Sequence, residues 1–327
     1  MEYLNMCKAV GNKKSFSRMI KYIIPLFFLF SLGCHKKEDF QFISLKDVND
    51  FVYQLQNIDL ERIGNTAFDL VIIDYSQDGS EEMRFSSEEI DALKNSPGGP
   101  KIVIAYMSIG EAENYRWYWK EEWDANHDGI PDSLAPSWLG PENPDWPGNY
   151  KVRYWEDGWK SIIYGSPDSY LDKIIDANFD GVYLDIIDAY EYWLPERPTA
   201  EREMVDFVKE IAYYAKAVKG KTNFIVIPQN GEKLSAYEDY VDAVSGIGRE
   251  DVWYNGNSPN PPEEVEEVIY HLDIFKNANK KVLVIDYVRK QDLIDDFYSK
   301  AISKGYVPYA TTRGLDSLII NRGHEPD

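Results

Sequence analysis

Two carboxylates stand at the ends of apolar, strand-like runs in the second half of the chain. Asp185 closes the run Gly181–Asp185, and Glu250 follows the run Ala243–Gly248. Two carboxyl groups in such positions can hydrolyse a glycosidic bond, because one protonates the leaving oxygen while the other attacks or stabilises the anomeric carbon. Like charges held close in a partly apolar site also push one pKa upward and so create the acid. The alternative for either residue is that it only ties a loop through hydrogen bonds.

The sequence lacks the motifs of several other classes of enzyme. The sequence contains no HExxH, GxSxG, GxxxxGK[ST] or CxxC motif, and its four histidines are scattered along the chain. Catalytic zinc and serine hydrolysis are therefore not expected. Gly246-Ile-Gly248 lacks the third glycine of a dinucleotide fingerprint, so a nucleotide cofactor is not expected either. We expect that the protein requires no cofactor.

One segment has the spacing of a metal loop. The segment has side-chain oxygens at the spacing of the first nine positions of a calcium loop, with Gly129 at the sharp turn. These oxygens belong to Asp124, Asn126, Asp128 and Asp132. An EF-hand would need a bidentate Glu where this chain has Ala at 135, so the segment is not an EF-hand. The sequence leaves two interpretations, a structural calcium site completed by other residues or an Asx-rich turn that forms unaided.

Eight short β-rich runs position these residues, and helical patterns lie between several of them. Strands that alternate with amphipathic helices indicate βαβ units and a parallel sheet. Eight units predict an α/β fold, a (β/α)8 TIM barrel over residues 49–327. The predicted strands are Asp50–Leu55, Asp69–Asp74, Lys101–Tyr106, Gly181–Asp185, Asn223–Pro228, Ala243–Gly248, Lys281–Asp286 and Tyr306–Ala310. The predicted helices are Ser86–Lys94, Pro167–Ala177, Thr199–Val218, Pro261–Asn277 and Lys290–Lys304.

Polar or aromatic residues follow each predicted strand. In a barrel of this type the carboxyl ends of the strands meet at one mouth, which holds the active site. Strands also end in polar residues simply because they reach solvent, and this explains some of the eight. Repeated carboxylates and carboxamides nevertheless favour a site.

A long insertion separates the third and fourth predicted strands, at about 111–165. It contains seven of the nine tryptophans, and long loops in compact domains are usually functional. The rings could stack on sugars beside the cleft, or they could form the small core of the insertion.

The N-terminal residues resemble an export signal. Basic residues precede the apolar run 22–33, which at 12 residues is shorter than the about 20 needed to span a bilayer. Ser31-Leu-Gly-Cys34 resembles a bacterial lipobox, in which Cys34 would be lipidated. A buried helix is disfavoured because no turn or cap precedes the run. We therefore expect a lipoprotein signal peptide at 1–33, a linker at 34–48, and an exported protein anchored to the membrane through Cys34 at the cell surface or in the periplasm.

The chain is strongly acidic. It has 56 acidic and 35 basic residues, a formal net charge of −21. Removal of residues 1–33, which hold five basic residues and one acidic residue, would leave a net charge of −25. A nucleic-acid partner is not expected, because binding phosphates requires Lys and Arg to release counterions. A net negative charge of this size is consistent with high solubility or with a cationic ligand.

Several motifs together resemble those of endo-α-1,4-polygalactosaminidases, glycoside hydrolase family 114. The resemblance runs from about 52 to 316. It rests on Tyr53-Gln-Leu55, Asp74-Tyr75, Ala105 to Glu113, Phe179 to Tyr190, Gln229-Asn-Gly231, Gly248-Arg-Glu-Asp251, Asp286-Tyr287 and Arg313 to Asp316.

The resemblance implies the same barrel fold and a catalytic pair after strands four and six. On this chain the pair is Asp185, as nucleophile or cation stabiliser, and Glu250, as acid/base. The residues implied to line the sugar subsites are Asp74, Tyr106, Glu111, Asp188, Gln229, Asn230, Asp286 and Tyr287.

The implied activity is an exported glycoside hydrolase that cleaves α-1,4-linked galactosamine or N-acetylgalactosamine polysaccharide. Glu250 has the longer side chain and can lean toward Asp185, which favours retention of the anomeric configuration. The alternative is a non-catalytic carbohydrate-binding lipoprotein on the same barrel. A role like that of an aminoacyl-tRNA synthetase is not expected, because the chain has no nucleotide-binding motif. A net charge of −25 would also repel the phosphates of tRNA.

Overall fold

A computed structural model of the chain describes residues 43–327. The expected signal peptide, Cys34 and the first part of the linker lie outside these residues. No helix in the described part is long and apolar enough to cross a membrane.

Eight parallel strands form the centre of the domain. Their hydrogen bonds define a five-stranded sheet in the order β1-β2-β3-β4-β5 and a three-stranded sheet in the order β6-β7-β8. The strands are β1 Phe51–Gln54, β2 Leu70–Ile73, β3 Ile102–Ser108, β4 Gly181–Asp185, β5 Ile225–Pro228, β6 Gly246–Glu250, β7 Lys281–Asp286 and β8 Val307–Ala310. All eight predicted strands are present, and the α/β class with a parallel sheet is confirmed.

The two sheets meet at both edges. A parallel bridge joins Gln229, after β5, to Gly248 of β6. On the other side the rings of Phe51 in β1 and Tyr309 in β8 lie 5.5 Å apart, and the Leu55 N–H donates to the Leu315 carbonyl at 2.8 Å. The strand order and these contacts are compatible with a (β/α)8 barrel.

Helices lie between the strands along the chain and cover the sheets. They are α1 Leu60–Gly64, α2 Ser87–Lys94, α3 Asp157–Ile163, α4 Tyr170–Asp176, α5 Ala189–Trp193, α6 Ala200–Tyr213, α7 Glu238–Ala243, α8 Pro262–Asn277 and α9 Gln291–Lys304. Ser86 caps α2 in a capping box with Glu89, and α9 ends where Gly305 takes a φ of 73°. All four residues of β2 are buried, so this strand is covered on both faces, as expected when helices cover a parallel sheet.

The insertion between β3 and β4 has a core of its own. Three short antiparallel strands, Glu111–Glu113, Leu139–Glu142 and Asn149–Val152, form its sheet. The rings of Trp123 and Trp138 lie 5.3 Å apart, and those of Trp138 and Trp159 lie 5.0 Å apart. These three side chains are buried, whereas Trp146 is 51% exposed. These three tryptophans therefore form the core of the insertion.

Candidate active site

Asp185 and Glu250 are the last residues of β4 and β6, at the carboxyl ends of their strands. The Tyr106 hydroxyl donates to Asp185 Oδ2 at 2.8 Å, and the Ile186 N–H donates to Asp185 Oδ1 at 2.8 Å. Ile186 has a φ of 59°, which a β-branched residue rarely adopts. Its carbonyl oxygen would lie 2.1 Å from a Cβ at Gly110, so the turn after β4 requires a glycine there.

Glu250 also accepts hydrogen bonds at both oxygens. The Tyr287 hydroxyl donates to Oε1, and Asn230 Nδ2 donates to Oε2 at 3.1 Å. Asn230 Oδ1 accepts from the Glu250 N–H and from Arg249 Nη1, each at 3.2 Å. These two donors fix the orientation of the Asn230 amide, so that its NH₂ group faces Glu250.

The two carboxyl groups interact electrostatically. Burial, and then the charge of Glu250, raise the pKa of Asp185 well above its usual range, although the hydrogen bond from Tyr106 acts in the opposite direction. Because like charges disfavour each other's ionisation, Asp185 retains its proton to higher pH than an isolated carboxyl group would. Acid catalysis by one carboxyl and attack by the other require one proton on the pair.

Two buried tyrosines lie beneath the pair. Tyr183 precedes Asp185 by two residues on the same face of β4, and its hydroxyl has no hydrogen-bond partner among residues 43–327. A Cβ at Gly248 would lie 1.8 Å from that hydroxyl, so Gly248 leaves the space that Tyr183 fills. The Tyr53 ring meets the Tyr183 ring edge-on at 5.3 Å.

The burial of these phenols keeps them protonated. It raises the pKa of Tyr53, Tyr106, Tyr183 and Tyr287 well above the usual range, and the charges of the nearby carboxylates add to the effect. They can therefore donate hydrogen bonds over the whole pH range in which a carboxylate pair works.

Asp74 and Asp286, both expected to line subsites, make contacts that hold loops. Arg116 forms two hydrogen bonds to Asp74, at 2.9 and 2.7 Å, and is itself fully buried. Asp286 accepts the N–H groups of three successive residues of the loop after Glu250, 252–254. Burial raises the pKa of Asp286 to about 7, with those donors opposing the shift.

The remaining expected subsite residues occupy different surroundings. Gln229 is buried beside the β5–β6 bridge, and its Oε1 has no partner in the described part of the chain. Glu111 is buried in the insertion, where Asn143 Nδ2 donates to it at 2.8 Å and burial raises its pKa. Asp188 is exposed, and partial desolvation of its carboxyl group together with the charge of Glu191 raises its pKa to about 6. Their roles in sugar binding stay predictions.

The segment expected to hold calcium is tied together by its own hydrogen bonds. Asp124 Oδ2 accepts from the Tyr150 hydroxyl at 2.6 Å and from the Gly129 N–H at 3.0 Å. Asp128 Oδ1 accepts from the Ile130 N–H at 2.9 Å, and Asp132 Oδ2 accepts from the N–H of residue 125 at 2.8 Å. Within residues 43–327 no group of three or more His, Cys, Asp or Glu side chains is arranged to hold a metal ion. The contacts are those of an Asx-rich turn.

Some residues of the site were not expected from the sequence. Tyr183 could have been found by alternation, because it is two residues before Asp185 in the same strand. Arg249 is part of the quoted motif around Glu250, but its contact with Asn230 depends on the turn after β5. Arg116 carries no sequence signal, since its partner Asp74 is 42 residues away.

Two cavities lie in different regions of the domain. One, of about 260 Å³, is lined by Tyr287 together with residues after β6, β7 and β8. The other, of about 1350 Å³, lies at the amino ends of the strands and is lined in part by Lys94, Lys101 and Lys281. Several of its lysines donate to backbone carbonyls, such as Lys281 to Val48 at 2.8 Å. In such barrels the amino-terminal face serves stability, and of these two cavities the smaller lies beside the pair, because Tyr287 lines it and donates to Glu250.

Comparison with known proteins gives consistent results. The model of the family described as glycoside-hydrolase family GH114 matches residues 37–325. An uncharacterized protein of Methanocaldococcus jannaschii is 45% identical over 283 residues, covering 82% of this chain and 77% of that protein. An uncharacterized protein of Thermotoga maritima is 37% identical over 319 residues, covering 93% of each.

A solved structure shares the fold. The glycoside hydrolase domain of PelA from Pseudomonas aeruginosa has a TM-score of 0.61 to this chain at 15% sequence identity. The match covers 84% of this chain and 98% of that domain. At this level of identity the likeness concerns the fold.

Proposed function

The chain is a glycoside hydrolase of family GH114, and from that premise we propose that it is an exported enzyme cleaving α-1,4-linked galactosamine or N-acetylgalactosamine polysaccharide. One observation carries the assignment of the site. Asp185 and Glu250 end β4 and β6, and each accepts two hydrogen bonds while their charges interact.

The proposed reaction has two steps. Glu250 donates its proton to the glycosidic oxygen as the bond to the anomeric carbon breaks, while an oxygen of Asp185 bonds to that carbon. A water molecule then attacks the same carbon, releases Asp185 and returns a proton to Glu250. Atoms and charges balance, because one proton and one negative charge are present on the pair before and after the cycle.

The hydrogen bonds suit these roles. The Tyr106 hydroxyl and the Ile186 N–H stabilise the negative charge on Asp185 that attack requires. Burial and then the charge of Glu250 raise the pKa of Asp185, so attack requires the proton of the pair to lie on Glu250, which removes the second of these contributions.

The substrate and the stereochemistry can be tested together. Purified protein should release reducing ends from α-1,4-galactosaminan and not from β-1,4-linked glucosamine polymers of the same acetylation. NMR of the first-formed product should show the α-anomer, because a nucleophilic Asp185 gives retention. A β-anomer would mean that Asp185 acts as a base through water.

A non-catalytic lipoprotein that binds carbohydrate is the second candidate. The observation behind it is Gln229 Oε1, which is buried without a partner in residues 43–327 and could bind a sugar whether or not the bond is cleaved. Binding of galactosaminan without release of reducing ends would support this candidate and contradict the first.

Export with a lipid anchor rests on the sequence of Ser31 to Cys34. Bacteria that express the full chain should incorporate labelled palmitate into it and hold it in the membrane fraction. Cys34→Ala should remove the label, and label that persists in this variant would contradict a lipid on Cys34.

A further inference from the structure

The cavity of about 260 Å³ beside Tyr287 has a composition that differs from that of the chain as a whole. Its lining consists of Asn255, Gly256, Asn257, Tyr287, Arg289 and Arg313. It therefore has two guanidinium groups, two carboxamides and no carboxylate, in a chain whose acidic residues outnumber its basic ones by 56 to 35. The lining comes from the loops after β6, β7 and β8, which meet at the mouth of the barrel.

The cavity is connected directly to the catalytic pair. Tyr287 lines it, and the Tyr287 hydroxyl donates to Glu250 Oε1. The Arg313 guanidinium lies 4.3 Å above the Tyr287 ring and covers that face. A ligand in the cavity is therefore recognised mainly by the polar groups around it, at a place adjacent to the acid/base.

The charges of the lining are only partly neutralised. Arg313 pairs with Asp251, because Arg313 Nη2 donates to both carboxylate oxygens of Asp251, each at 2.9 Å. Arg289 is exposed, and no carboxylate of residues 43–327 pairs with it. One positive charge thus faces the cavity without a compensating carboxylate.

Hydrogen-bond donors also exceed acceptors. Asn257 Oδ1 accepts from the Arg289 N–H at 3.1 Å, and Asn255 Oδ1 accepts from Arg313 at 3.3 Å. Both amide oxygens are thus engaged within the protein, which leaves the two NH₂ groups and the Arg289 guanidinium as donors. Such a lining binds oxygen acceptors and disfavours an ammonium group.

We propose that this cavity is a sugar subsite beside the cleaved bond that takes an N-acetylated unit in preference to one with a free, protonated amine. The inference rests on the proposed function and adds a specificity to it. The carbonyl of the N-acetyl group accepts from the carboxamides or from Arg289, whereas an ammonium group would meet the positive charge of Arg289. The negative charge of the whole chain still attracts ammonium groups elsewhere on the polymer through the long-range field.

Partly deacetylated α-1,4-galactosaminan is the substrate for the test. Mass spectrometry of the products identifies the units at the two new chain ends. We expect N-acetylgalactosamine to be enriched about two- to five-fold at one of these ends, the size that one exposed charge gives. Arg289→Glu should remove or reverse the enrichment. Lys290→Glu is the matched control, because it makes the same change in charge at an adjacent exposed position outside the cavity.

A binding measurement separates this inference from the proposed activity. Saturation-transfer NMR in the Glu250→Gln variant compares fully acetylated with fully deacetylated galactosamine oligomers and needs no turnover. Stronger binding of the acetylated oligomer, lost with Arg289→Glu, supports the subsite whether or not the polymer is cleaved. Equal binding of the two oligomers, an enrichment unchanged in Arg289→Glu, or an equal loss in Lys290→Glu would overturn it.

Discussion

Tyr106→Phe removes one hydroxyl that donates to Asp185 Oδ2 at 2.8 Å and leaves the ring in place. Tyr106 is 6% exposed, so water does not readily replace the lost donor. The hydrogen bond stabilises the ionised form of Asp185, whose pKa burial and Glu250 already raise. The variant should therefore raise this pKa further.

The size of the effect follows from the charge of the acceptor. A hydrogen bond to a charged group contributes about 1.5–3 kcal/mol, and about 1.36 kcal/mol corresponds to one pKa unit. Because Asp185 attacks only when ionised, the acidic limb of kcat/KM should move to higher pH by about 1–2 units. The alkaline limb should move less, because it does not report the ionisation of Asp185.

The assay is a profile of kcat/KM against pH with reducing-end detection. Tyr240→Phe is the matched control, because Tyr240 on α7 is also buried but its hydroxyl, unlike that of Tyr106, has no partner in the described residues. It should leave both limbs in place. An acidic limb that stays in place or moves to lower pH in Tyr106→Phe would refute the role given to this hydrogen bond.

Three further outcomes follow from the packing around the site. Gly248→Ala should lower activity and the melting temperature together, because its Cβ would lie 1.8 Å from the Tyr183 hydroxyl; a fully active variant would show that this space is not needed. Arg116→Met should destabilise the fold by about 3–5 kcal/mol in urea unfolding, because it leaves Asp74 buried and unpaired; a change below about 1 kcal/mol would contradict this. Asp124→Asn should lower the melting temperature in EDTA as much as in calcium, because protein donors already bind its carboxylate; a loss seen only with calcium would indicate a metal site.

The alternation of apolar runs with helical patterns was sufficient to predict the fold. β4 and β7 begin and end where expected, since their apolar residues are bounded by Gly181 and Lys281 on one side and by aspartates on the other. The five predicted helices are present, and each begins one to three residues later than expected. The first residues of such a segment serve as caps or turns, which periodicity alone does not separate from the helix.

The candidate site was predictable only where a strand delivers the residue. Asp185 and Glu250 end their strands, so their place at the mouth follows from the topology. The partners of Asp74 and Asp286 depend on loop paths, because Arg116 comes from the insertion and residues 252–254 turn back over β7. A sequence pattern contains no such tertiary contacts, so it does not show that these two carboxylates also hold loops.

The most direct test of the central claim compares turnover of α-1,4-galactosaminan by wild type, Asp185→Asn and Glu250→Gln. Each substitution removes charge or acidity with little change in size, so the melting temperature should stay close to that of the wild type. We expect each variant to lose about 10²–10⁴-fold or more in kcat. Near wild-type turnover in either folded variant would contradict the assignment of this pair as the catalytic carboxylates.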